Sequence, residues 1–282
     1  MPRPPDLPDY TSPPIDEVAI GVLTAGDSGL TDAHVGLFWR MLRAAHPKFT
    51  LAQSQPLTLL PMEAPQRSPS PLSPPPVWAG PAPQAFGTLA RTWLLTDDQS
   101  HLIQIQGNYF ALNWRRREAD YPRFDQLLED FMVYLGEFRA LLIEEGLRPL
   151  RPLQLMVTYM NWIADLTMRD FLRPTSNGSL GQGASPNDPD QQNWAARYSM
   201  PFDSDQILPP PRLYVQCQPS VRPQPPILVE GTQFTLEYRV RTPDSISDED
   251  VRAIFKQGRA SITQAFTSLT TEAAHAHWER KQ

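Results

Sequence analysis

Two stretches of helical periodicity dominate the chain. From Phe124 onward, Leu127, Leu128, Phe131, Leu135, Phe138 and Leu142 recur three and four positions apart, the spacing that lines one face of an α-helix. Tyr121-Pro122 is expected to open this helix, with proline in the first turn, where its missing N–H leaves no bond unmade. The helix should run to about Gly146. The second stretch places Val251, Ile254, Phe255, Ile262, Phe266 and Leu269 on one face, and Ser247 with Asp250 three positions on reads as its start. Thr270 or Thr271 can cap a last short helix ending near Trp278. A further helix is predicted from Thr31 to about Ala45, with Val35, Phe38, Trp39 and Leu42 turned inward and His46-Pro47 ending it.

Between the helices the period changes to two. Leu102, Ile103 and Ile105 run into Gly107-Asn108, a pair suited to the positive φ of a tight hairpin. On the returning strand Tyr109, Ala111 and Asn113 alternate with Phe110, Leu112 and Trp114, so one face is large and apolar. With an earlier strand at about 88–96, the segments 101–106 and 109–116 form a three-stranded meander. Further strands are predicted at Ile15–Leu23 (Val18, Ile20 and Val22 on one face), Leu153–Ile163, Trp194–Ser199, Arg212–Gln218 and Gln224–Arg241. One or two helical turns fit Asp165–Leu172.

These elements specify an α+β protein, with antiparallel sheets packed against two long helices and the 124–142 stripe lying across the meander. After a proline-rich lead at 1–14, the order of elements allows two loosely similar helix-on-curved-sheet halves, 15–148 and 149–282. The second half has no clear early helix. Two stretches lose all periodicity. Residues 55–86 are rich in proline and serine and read as a stiff loop or strap that Trp78 pins to the body; 173–193 are polar and glycine-bearing.

Composition changes the picture in three places. The 32 prolines, about double average usage, are concentrated in these connections. A formal charge of −6 argues against a polyanion-binding surface, and only Lys48, Lys256 and Lys281 of the 25 cationic residues are lysines. A single cysteine, Cys217, excludes an intramolecular disulfide and any multi-cysteine metal site, and reads as a small buried hydrophobe. The first residues lack a signal-type apolar core, and no run approaches the roughly 18 apolar residues of a membrane span. A soluble, cytoplasmic protein without membrane contact is therefore expected.

Familiar chemistry is not written in the motifs. Gly26-Asp27-Ser28-Gly29 has neither the lysine nor the spacing of a phosphate loop, and neither a Gly-x-Ser-x-Gly elbow nor a His-Glu-x-x-His pair occurs. Of the five histidines, His275 and His277 are two apart, face opposite ways on a helix and read as isolated surface residues. The carboxylate groups Asp97/Asp98, Glu144/Glu145 and Asp248/Glu249/Asp250 sit at turns and helix ends, where they solvate loops or complement helix dipoles. Neither a catalytic set, a metal site nor a cofactor is expected. The sharpest polar feature is Arg115-Arg116-Arg117. Asn113, Trp114 and Arg115 could form a recognition surface for an anion or a partner carboxylate. Alternatively Arg115 clamps Tyr121 or the helix start.

Several of these residues carry a resemblance. Ser12-Pro13-Pro14-Ile15-Asp16-Glu17-Val18, then Gln104-Ile105-Gln106 with Tyr109-Phe110, Asn113-Trp114-Arg115 and Tyr121-Pro122, then Thr158-Tyr159-Met160-Asn161, and the helix ending near Trp278 resemble a sporadically distributed prokaryotic family of unknown function. The likeness covers roughly 12–163 and 248–280, and the block at 104–122 is its most specific part. No catalytic residue comes with it. Its patchy distribution implies mobile or defence-associated genes, an association and not a mechanism.

The function expected from the sequence is a non-enzymatic interaction subunit or adaptor with a protein partner, a homo-oligomer being open and direct nucleic-acid contact not expected. A small-molecule or nucleotide-binding sensor is the alternative, with Asn113, Trp114, Arg115, Tyr121 and Tyr159 as binding residues. An enzyme of unrecognised type is the third.

Overall fold

The computed structural model describes residues 7–24, 29–56, 60, 63, 91–117, 120–148, 150–173, 194–199, 210–224, 226–243 and 245–281. Nine strands form one antiparallel sheet. In chain order they are β2 (Ile15–Thr24), β3 (Phe49–Gln55), β4 (Arg91–Thr96), β5 (His101–Gln106), β6 (Tyr109–Arg115), β7 (Pro152–Ile163), β8 (Trp194–Ser199), β9 (Arg212–Gln224) and β10 (Ile227–Arg241). Their order across the sheet is β3-β4-β5-β6-β2-β7-β10-β9-β8. The helices are α1 (Asp32–Ala45), α2 (Phe124–Glu144), α3 (Met168–Phe171), α4 (Asp248–Leu269) and α5 (Glu272–His277). Short strands β1 (Asp9–Tyr10) and β11 (Arg280–Lys281) pair with each other, a clasp between the chain's two ends.

Alternation along β2 sets the architecture. Val18, Ile20 and Val22 are fully buried toward the helices, opposite Trp114, Leu112 and Phe110 of β6 on one side and Tyr159, Val157 and Leu155 of β7 on the other. A slip of one residue would turn this whole apolar set to the other face. Segments 15–148 and 149–282 thus share one sheet through the β2–β7 pairing.

The long helices cover the apolar face. Phe110 stacks on Phe138 of α2 at 5.0 Å and lies 6.0 Å from Phe131, while Phe38 of α1 meets Phe138 edge-on at 5.0 Å. Helix α4 lies over β7 and β10 and joins α2 through Phe131 and Phe255, 5.3 Å apart. It approaches so closely that a Cβ on Gly258 would stand 2.7 Å from the Tyr238 ring. The α+β reading, the two long helices and the seating of α2 on the meander all hold. The end signals of α4 and α5 hold as well: Ser247 Oγ accepts from the Asp250 N–H and Thr271 Oγ1 from the Ala274 N–H.

Four details differ from the sequence reading. Helix α2 begins at Phe124, after Arg123 with φ of 26°, so Tyr121-Pro122 precede the first turn instead of forming it. Strand β3 went unpredicted because, on the edge of the sheet, it buries only Phe49 and shows no alternation. Strand β9 runs through Pro219 and Pro223 to Gln224, and β10 begins only at Ile227. Those prolines are tolerated because β8 pairs no further than Cys217, leaving that length of β9 as an edge. The expectations for 55–86, including Trp78, and for 173–193 lie outside the described residues, apart from Gln55, Pro56, Leu60, Glu63 and Arg173. No helix among the described residues is long and apolar enough to cross a membrane.

Candidate functional site

The five binding residues read from the sequence, three of them on β6, fall on both faces of the sheet. Trp114 points to the helix side, where its ring lies 5.0 Å from that of Tyr121. The Tyr121 hydroxyl is 3.1 Å from that of Tyr159, and Tyr159 also stacks on Phe124. Burial pushes the Tyr121 phenol well above its ordinary value, so its hydroxyl stays protonated.

Asn113 and Arg115 point the other way. Trp93 Nε1 donates to Gln104 (3.2 Å), Gln104 Nε2 to Asn113 Oδ1 (2.6 Å), and Asn113 Nδ2 to the Glu17 carboxylate. Arg115 Nε lies 3.4 Å from Glu17 Oε2, with its guanidinium 4.6 Å over the Trp93 ring. Arg115 is therefore a clamp on Glu17 and not on Tyr121 or the helix start. Arg116 reaches the other side, donating to the Pro13 carbonyl at 2.8 Å. A cavity of about 200 Å³ opens on this network, bounded by Glu17, Asn113, Thr158 and Glu237.

Further along the same face lies a residue the sequence reading passed over. Glu63, 3 % exposed, meets Arg212 at 2.5 Å, the Tyr214 hydroxyl, and Arg239 at 3.6 Å. Its carbonyl accepts from Arg241 at 2.9 Å and its N–H donates to Gln154 Oε1 at 2.8 Å. The available signal was Arg239 and Arg241 alternating with Tyr238 and Val240, which places arginines on a buried face where they require an anion.

On the helix side a larger cavity, about 420 Å³, lies between the N-terminal segment, the start of α2 and the middle of α4. Tyr121, Tyr159 and Leu236 line its base, Ile262 and Phe266 one wall, and Arg259 enters from α4. Of the five residues read from the sequence, Tyr121 and Tyr159 therefore share this cavity. Asn113 and Arg115 belong to the opposite face, and Trp114 packs behind Tyr121.

The ionisable side chains elsewhere are mostly structural. His275 is buried, not a surface residue, with Nε2 2.8 Å from Thr270 Oγ1. Burial pushes the Cys217 thiol up to about 12, in keeping with a small inert hydrophobe. No group of three or more potential metal ligands converges among the described residues.

His101 carries a pH dependence. Burial, then Lys48, lowers its imidazole pKa, against Asp130 and Asp98, which raise it. Unfolded chain then takes up the proton first as pH falls, so stability drops from about pH 6.5 downward. His101→Gln is expected to flatten the melting temperature between about pH 7 and 5. An unchanged slope would show that other groups set it.

No protein-family model matches the chain, and a search of curated proteins returns no match.

Proposed function

We propose that the chain is a non-enzymatic interaction subunit whose binding arm is the β9–β10 ribbon. Strand β7 ends at Ile163, opposite Thr232, and beyond it, among the described residues, Ile227–Gly231 pair only with Ser220–Gln224. Val221, Ile227 and Leu228 on this ribbon are 53–69 % exposed, and they are three of the five large exposed hydrophobics among the described residues. That clustering carries the reading, since scattered apolar residues are ordinary but a group on a projecting element is a contact surface.

The ribbon is braced at its root. Arg222 grips Asp16 through two hydrogen bonds of 2.7 and 2.6 Å and lies 4.1 Å over the Trp162 ring. Gly231 leaves room for that indole, since a Cβ there would stand 2.6 Å from it. A stiff arm loses little freedom when its tip is captured. The partner that fits is a different protein offering an apolar pocket to Val221 and Leu228, which the register Leu228↔Pro223 and Glu230↔Val221 places on one face of the ribbon. Placement within the sporadically distributed prokaryotic family, and the defence setting it suggests, are proposed on the 104–122 likeness alone.

A photo-cross-linking residue at Leu228, in cells of the native host, is expected to trap one discrete host protein. Val221→Asp, on the same face of the ribbon, should abolish the adduct, and a probe at exposed Val133 of α2 should not form it. Adducts only between copies of this chain, or none, would overturn the reading.

A further inference from the structure

The geometry points to the helix-side cavity as a binding site for a small anionic metabolite with an apolar body, its carboxylate or phosphate held by Arg259. This inference stands independently of the ribbon.

The cavity's size is that of small-ligand sites, which run from about 300 to 1,000 Å³. Its inner surfaces are apolar, with Leu236 on the sheet and Ile262 and Phe266 on α4 all buried in the core. Arg259 is 13 % exposed, yet the only carboxylate beside it among the described residues, that of Asp125, is 3.7 Å away, beyond hydrogen-bond reach. Its guanidinium also lies 5.7 Å from the centre of the Phe124 ring. A part-buried arginine at the edge of a cavity, loosely paired with one carboxylate and making no side-chain hydrogen bond among the described residues, can take an anion that fits its donor fork. The Tyr121 hydroxyl, which burial keeps protonated, lines the same cavity and can add a donor to the same anion.

The rest of the mouth is consistent in sign. Lys281 and Asp9 neutralise each other at 3.1 Å, leaving Arg116 and Arg123 against Asp120. The roof is Tyr10–Pro13, held by the end-to-end clasp: Thr11 N–H donates to Glu279 O at 3.0 Å and Tyr10 Oη lies 2.8 Å from Thr267 Oγ1.

The test is a titration of the full chain, labelled at isoleucine and leucine methyls, with phenyl phosphate and with phenylacetate. Inorganic phosphate supplies the head alone and benzyl alcohol the body alone. Saturable shifts of the Ile262 and Leu236 methyls are expected with at least one aryl anion, weakened about tenfold or more by Arg259→Met, and by added salt. If that variant does not fold, Tyr121→Phe, which keeps the ring, decides and should weaken binding at least threefold. Absence of saturable shifts with both anions would overturn the proposal. Equal binding of benzyl alcohol, or affinity unchanged in the folded Arg259 variant (or, failing that, in Tyr121→Phe), would overturn it too.

Discussion

Glu63→Ala is expected to lower the unfolding free energy by about 3–5 kcal/mol, because it strips a buried carboxylate from Arg212, which has no other acidic partner among the described residues, and leaves Arg239 only Glu237. Arg212 and Arg239 are only 8 % and 12 % exposed, and both face Glu63. Removing one side of such a pair costs far more than the pair contributes. A double substitution, Glu63→Leu with Arg212→Met, should therefore recover much of the loss, since well-packed apolar replacements of buried ion pairs are often neutral. Urea unfolding followed by tryptophan fluorescence reads both. A single-variant loss below about 1 kcal/mol would mean that Glu63 does not sit against these arginines in solution.

Phe110→Ala is the second large effect, with an expected loss of about 3–5 kcal/mol. Its ring is fully buried and touches Phe38, Phe131 and Phe138, so truncation leaves a void between β6 and two helices. Val133, half exposed on the outer side of α2, is the control, and its alanine variant should stay within about 0.5 kcal/mol of the parent. Equal losses at both positions would place α2 elsewhere than on β6.

What was legible in the sequence was whatever a short window encodes. Helices α2 and α4 were readable because seven-residue stretches already show which side is apolar, and the β5–β6 hairpin because Gly107-Asn108 carries its own turn geometry. The position of β2 between β6 and β7 was not, since no local signal joins Val18 to Trp114 and Tyr159 across such separations. Edge strand β3 offered no contrast between its faces, and the prolines of β9 argued against a strand that its unpaired edge permits.

The site was half readable for a simpler reason. Adjacent residues on a strand face opposite ways, so Asn113 and Trp114 could never have shared one surface. Glu63 was masked by the proline-rich company around it. Arg259 stands in mid-helix, where an arginine ordinarily reads as a solvated residue, and only the approach of the N-terminal segment encloses it.

The central place of β2 bears on how the chain acquires its shape. During synthesis this strand leaves the ribosome before either neighbour it needs, β6 following roughly 90 and β7 roughly 130 residues later. The β4–β5–β6 meander can zip up on its own through short loops, whereas closing the sheet across β2 must wait on distant encounters, which slow folding. A strand made early is in this sense the keystone, set between two arms that have to be raised before it.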